Sequence, residues 1–326
     1  MQPEKADRNN VDISAGELGI YIITYNRAFK LEATLNYILN SAICHFPITV
    51  LDNCSTDNTF EVVTKYTCRF DNLEIIKNKV NVGLGANFLK VFDYSDYNYT
   101  WILCDDDKIE AVAFDDVMDV IQEGKIDLIH VGAHAQKEWP FGGRFFTPRE
   151  LLKNKYPYFK FSSFIPCNIF KTNAFTKFML PGYGNIVNAY PHMPFLFDLY
   201  KTDGKVYVAK NPIIVAQPSD SGYTHTQWFS WWMKTCELLG NKEDVRLAYL
   251  DQYKDIGSVD ITSGLESFLY AEKLLNDGGY VAYFIDKYMT LSDKVELMRL
   301  RYGPTALRNK LYWFRVRAMN YLTSKK

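Results

Sequence analysis

A chain of 326 residues with 48% hydrophobic content is long enough for one large domain or two small ones with a sizeable core. A formal net charge of −1 gives no global field toward nucleic acid, so a nucleic-acid partner is not expected. The cysteines at 44, 54, 68, 104, 167 and 236 show no C-x-x-C pairing and read as reduced thiols of a cytoplasmic protein. The polar N-terminus has no apolar h-region and no run reaches roughly 18 apolar residues, so neither a signal peptide nor a membrane span is expected.

Residues 1–16 read as a flexible polar leader. Leu18–Thr24 is a short apolar run with β-branched residues, the pattern of a buried parallel strand. Residues 28–41 follow with Leu31, Leu35, Ile38 and Leu39 at helical spacing. Phe46–Leu51 is a second buried strand, and it ends at Asp52-Asn53-Cys54-Ser55-Thr56-Asp57, where Ser55 or Asp57 is placed to cap a helix over 58–69. Leu73–Lys77 is a third strand, the Gly83 and Gly85 loop leads into a helix near 86–94, and Tyr99–Cys104 is a fourth strand. Strand–helix alternation predicts an α/β fold with a mostly parallel sheet, in which ligands bind at the strands' carboxyl ends.

The fourth strand runs straight into Asp105, Asp106 and Asp107. Three adjacent carboxylates repel and are costly to bury without partners. They suit a cleft in which Mg²⁺ or Mn²⁺ offsets their charge and keeps open positions for phosphate oxygens. An acidic turn is the plain alternative.

Four stretches, I-I-T-Y-N-R (22–27), V-L-D-N-C-S-T-D-N-T (50–59), N-V-G-L-G-A-N (81–87) and L-C-D-D-D (103–107), resemble the family 2 glycosyltransferases, in their order and at comparable spacing. The overall look resembles bacterial O-antigen or capsule transferases, with the abequosyltransferase-like group as a neighbour. The resemblance implies a GT-A (Rossmann-like) fold: a central sheet flanked by helices, with a C-terminal helical extension. It also implies a nucleotide-sugar donor and a divalent metal, Mn²⁺ or Mg²⁺. By position, Thr24, Tyr25, Asn26, Arg27, Asp52, Asn53, Gly83, Asn87, Asp105 and Asp106 would bind the donor. Asp52 and Asn53 would read base and ribose, with Asn standing at the second position of an acidic pair. Asp107, the last residue of the D-x-D pattern, would bind the metal directly, with Asp105 and His225 as further ligands.

Downstream, residues 112–123 read as an amphipathic helix, 126–131 as a strand, 132–150 as loop, and 172–179 as helical. Ser162–Phe170 is expected to return to the sheet, with closing strands within Lys205–Ala216. Inverting relatives carry an acidic pair, one member being the general base, ahead of the G-x-x-V strand. Counting back from Gly204, that position holds His192-Met193. A histidine near neutral pKa can accept a hydroxyl proton, so His192 is the candidate base and Asp198 the fallback. Helices are expected at 229–239, 242–254, 261–276 and 280–289. From Arg299 on, all charges are basic, and Leu307, Leu311, Phe314, Ala318 and Leu322 share one helical face. A basic amphipathic helix over 304–326 would lie on an anionic membrane surface, or else dock on the domain.

These readings divide the chain into the leader, a catalytic domain at 17–228 and a helical region at 229–326. Within the domain, 17–110 binds the donor and 111–228 forms the acceptor side. They describe a metal-dependent, inverting glycosyltransferase that acts on a saccharide or undecaprenyl-linked saccharide at the inner face of the cell membrane. A second copy of the chain is a further candidate partner. The rivals are a binding or scaffold protein with a decayed site, and a nucleotidyltransferase.

Overall fold

The computed structural model describes residues 16–110, 114–133, 139–215, 225–254, 262–274 and 278–302. The leader up to residue 15 and the basic segment 304–326 lie outside the described residues. The first half alternates β1 (Leu18–Thr24), α1 (Ala28–Leu39), β2 (Ile48–Asp52), α2 (Thr59–Tyr66), β3 (Leu73–Lys77), α3 (Leu84–Tyr94) and β4 (Tyr99–Cys104). A middle section follows with β5 (Lys108–Ile109), α4 (Asp115–Glu123), β6 (Leu128–His130), β7 (Arg144–Phe146), α5 (Pro148–Lys153), α6 (Tyr158–Ser163) and β8 (Asn168–Lys171). It continues through α7 (Thr172–Phe175), α8 (Met179–Gly184), α9 (Met193–Thr202), β9 (Val206–Val208) and β10 (Ile214–Val215). The last third is helical: α10 (His225–Cys236), α11 (Lys242–Asp251), α12 (Thr262–Leu274), α13 (Gly278–Tyr288) and α14 (Leu291–Tyr302).

Eight strands form the main sheet in the order β3-β2-β1-β4-β8-β6-β9-β7, with β10 and β5 as a separate antiparallel pair. The strands β3, β2, β1 and β4 are mutually parallel, as the apolar runs predict. The α/β expectation from the sequence is met, with a mixed second half: β8 runs antiparallel between β4 and β6, and β7 antiparallel to β9. Every residue of β1 and β2 is buried, because helices cover both faces, whereas the edge strand β3 buries only Leu73 fully. The register pairs Thr24 with Asp52 and Ile23 with Cys104. Three polar loops therefore leave the sheet side by side.

One local expectation is corrected and one is narrowed to a single residue. The segment read as loop at 132–150 contains β7 and the start of α5. Three residues are too few to show a period, but Thr147 and Glu150 form a reciprocal capping box that the sequence carries as T-P-R-E. Asp57, not Ser55, serves the helix starts: its carboxylate accepts from the Thr59 amide and hydroxyl and from the Ala28 amide, tying α2 to α1. The aromatic content goes largely into packing. Phe88, Phe92, Phe170 and Phe175 form one cluster, with Phe92 and Phe175 stacked at 4.0 Å.

Candidate active site

The loops after β1 and β4 meet through charge. Asp105 is 2% exposed, and both its carboxylate oxygens are occupied. Oδ2 accepts from Thr24 Oγ1 at 2.7 Å and Oδ1 from Arg27 Nη1 at 2.7 Å. The other arm of the Arg27 fork donates to Asp106 Oδ2 at 2.5 Å, with Lys30 Nζ at 3.7 Å from the same oxygen. Thr34, on the buried face of α1, donates to the carbonyl oxygens of Asp105 (2.8 Å) and Asp107 (3.2 Å) and so fixes the backbone of the acidic turn. Asp107 Oδ2 accepts from the Cys104 amide at 2.7 Å. Burial pushes the Asp107 carboxyl up to about 8, against the pull of the Cys104 amide. Burial likewise takes Asp105 to about 6, with Arg27 and Thr24 pulling it back.

This turn borders a cleft of about 880 Å³, large enough for a small-molecule ligand. Of the residues expected to bind a donor, Thr24, Tyr25, Arg27, Asn53, Gly83, Asn87, Asp105 and Asp106 line it, together with Asp107. Asn26 and Asp52 do not. Asn26 (φ 50°) locks two loops together: its amide donates to Ser55 Oγ and its side-chain oxygen accepts from the Thr56 amide. Asp52 turns inward, so the expectation that it reads base or ribose is corrected. Its Oδ1 accepts from the Ser55 amide at 2.9 Å, and its fully buried Oδ2 has no hydrogen bond, with Lys77 Nζ 3.7 Å away. Asn53 reaches the cleft, but its amide is engaged. It donates to Asn81 and accepts from Asn78 and the Val82 amide. Asn78 donates in turn to Asn87, whose amide caps the Leu51 carbonyl. This chain of amides shapes the 78–87 loop, where Gly83 (φ +81°) takes a conformation that disfavours other residues.

The candidate base is corrected as well. His192 is 0% exposed and does not line the cleft. Its Nε2–H donates to the Ser162 carbonyl at 3.0 Å, while Nδ1, without a hydrogen bond, lies among Phe88, Phe170 and Tyr190. Burial lowers its pKa to about 4. It is a neutral core residue, because the chain turns Tyr190 rather than His192 toward the cleft. Asp198 sits within α9, also away from the cleft. His225 opens α10, and its side chain lies outside the described residues.

Residues with no marked motif complete the opposite wall: Lys160 and Ser163 on α6, Pro166, Tyr190, Trp228 on α10, and Gln252 after α11. They come from four separate parts of the chain. For Thr34, in contrast, a signal was present: a hydroxyl on the apolar stripe of α1.

Hard oxygen donors suit Mg²⁺ or Mn²⁺. The described residues contain no cluster of three or more metal-ligating side chains. Asp107 fits the part of a single direct protein ligand: it lines the cleft and has one carboxylate oxygen on the Cys104 amide. Asp105, held by Arg27 and Thr24, stands beside it. No described helix is long and apolar enough to cross a membrane.

An abequosyltransferase, RfbV, of Salmonella typhimurium is 37% identical over 92 residues, 27% of this chain and 27% of that protein. The alignment thus spans about a quarter of that relative's length. Among solved structures, S. aureus TarS is 17% identical, with a TM-score of 0.48 over 86% of this chain and 47% of that one. A mannosyltransferase, PcManGT, of Pyrobaculum calidifontis in complex with GDP-Man and Mn²⁺ is 11% identical, with a TM-score of 0.49 over 91% of this chain and 87% of that one. The family model for glycosyl transferase family 2 matches residues 19–180, the stretch that carries β1 through α7 and the acidic turn, so this part of the chain is a domain of that family's type.

Proposed function

We propose that the protein is a metal-dependent glycosyltransferase. It moves a sugar from a nucleotide-sugar donor to a hydroxyl of a bacterial surface saccharide, with inversion. The observation that carries this reading is the acidic turn at the mouth of the cleft: Asp107 opens onto the cleft while Asp105 and Asp106 are held by Arg27. The partial match to an abequosyltransferase supports an O-antigen type of sugar.

When bound, the cation supplies positive charge against the diphosphate that leaves. Asp107 would hold it directly, with Asp105 beside it adding negative charge. Thr24 and Tyr25 form the floor and rim beside the nucleotide, and Arg27 keeps Asp105 in position. The Asn53–Asn78–Asn87 chain presents the 78–87 loop on the same side. In the transfer, an acceptor hydroxyl oxygen attacks the anomeric carbon, the bond from that carbon to the diphosphate oxygen breaks, and the hydroxyl proton passes to water in the cleft. A lipid-linked acceptor at the membrane face would be reached through the basic segment 304–326.

A panel of UDP-, GDP- and CDP-sugars incubated with Mn²⁺ should show release of nucleoside diphosphate from one nucleotide class, abolished by EDTA. The burial of His192 favours one rival, a protein that binds the donor without transferring it. Tight nucleotide-sugar binding without metal-dependent release would decide for that rival.

A further inference from the structure

The helix α14 is apolar on two sides. On one side Asp293, Leu297 and Leu300 are buried against the domain, with Asp293 held by Arg246. On the opposite side Leu291, Val295 and Met298 are 78%, 49% and 57% exposed. Their spacing, four then three, puts them in one stripe, the pattern of a seam that receives a second helix. Apolar residues scattered singly over a surface need no explanation, but an aligned set does. Immediately after α14 the sequence reads Gly303-Pro304, the signal of a helix stop. Leu311, Phe314 and Ala318 then follow at three and four, the reverse order. The two sets mirror each other about the Pro304–Thr305 junction: Met298 with Leu311, Val295 with Phe314, and Leu291 with Ala318.

We propose that the segment 305–322 folds back as an antiparallel helix on α14 and covers this stripe. A link of a few residues between two helical patterns makes them antiparallel neighbours. The mirrored order lets each apolar position of one helix meet an apolar position of the other along the whole contact. Arg308, Lys310, Arg315 and Arg317 fall beside the segment's stripe and not in it, so the contact buries no charge. The tether favours this occupant over a second copy of the chain, because it holds the segment at an effective concentration on the order of millimolar. Anionic lipid is the poorer occupant. Two cations beside the stripe are already engaged by carboxylates, Lys294 by Asp286 at 2.8 Å and Arg299 by Glu296 at 3.5 Å. The proposal is independent of the transferase reading.

Cysteine pairs in the full chain test the register. Val295→Cys with Phe314→Cys, oxidised by diamide, should close an intrachain disulfide in most molecules, since facing positions bring Cα atoms within about 7 Å. Val295→Cys with Leu322→Cys, displaced by about 12 Å along the helix, should not close. Mass mapping of the linked peptides separates this bond from any at Cys44, Cys54, Cys68 or Cys104. Hydrogen exchange reads the same contact without cysteines. The amides of 291–302 should exchange at least tenfold more slowly in the parent than in the double variant Leu311→Asp, Phe314→Asp, with β1 to β4 unchanged. The proposal is overturned if the mirrored pair stays open, if the displaced pair closes as readily, or if exchange at 291–302 is the same in parent and variant. A disulfide that joins two chains would give the stripe to a second copy, and one abolished by phosphatidylglycerol vesicles would give it to lipid; either result overturns the proposal.

Discussion

The two walls of the cleft are built in different ways. The wall that carries the acidic turn is local in sequence: β1, β2 and β4 lie next to one another in the sheet, and each delivers its cleft residues within a few positions of its carboxyl end. The facing wall has no such order. Its strands β8, β6, β9 and β7 are three or four residues long and run in mixed directions, and its cleft residues come from α6, Tyr190, α10 and the turn after α11. A wall made of contiguous loops keeps its chemistry in short motifs. A wall made by tertiary placement spreads it over single residues whose meaning depends on what packs behind them.

The largest effect expected from breaking this contrast is at Asp107. Asp107→Asn keeps an acceptor for the Cys104 amide but removes the charge, and metal-dependent donor turnover should fall by about 10²–10³. Steady-state release of nucleoside diphosphate checks this, and full activity would remove Asp107 from the site. Away from both walls, Arg246 forms a two-pronged ion pair with the buried Asp293, at 2.6 Å on each arm, which joins α11 to the start of α14. Arg246→Ala leaves that carboxylate short of its partner and should lower stability by about 3 kcal/mol in urea unfolding. Donor turnover at low denaturant should be unchanged.

The pH dependence of stability tests His192. Its folded pKa, about 4, lies below the ordinary value of 6.5, so the unfolded chain takes up the proton first as pH falls. Its contribution is whole above pH 6.5 and is lost as pH drops toward 4. Comparing unfolding at pH 7.5 and pH 5, the penalty of His192→Gln should shrink by about 2 kcal/mol at the lower pH. The folded variant should retain donor turnover. A catalytic base would instead lose turnover at unchanged stability. The smallest expected effect is at Asn53. Asn53→Ala removes its bonds to Asn78, Asn81 and Val82 and should raise the donor KM several-fold, at about 1 kcal/mol, with kcat little changed.

The same contrast explains what could be read from the sequence. The parallel strands, the acidic turn and most cleft residues beside it were legible, because buried strands ending in polar clusters leave a periodic and compositional signature. Asp52 was misplaced because a carboxylate after a strand looks the same whether it faces a ligand or, as here, its own loop amide at Ser55. His192 was misplaced for a related reason. Counting from Gly204 fixes a position along the chain, but the side that α9 shows to the cleft depends on the Phe88, Phe170 and Tyr190 cluster. Gln252 carried no signal, since it lines the cleft only when α11 meets α6.

The central claim is that Asp107 and a divalent cation hold a nucleoside diphosphate in this cleft. Thermal unfolding of the parent and of Asp107→Asn, with UDP, GDP or CDP and with or without Mn²⁺, tests it most directly. The account predicts that one nucleotide raises Tm only with Mn²⁺ and only in the parent. An equal shift in Asp107→Asn, or no shift with any nucleotide, would contradict it.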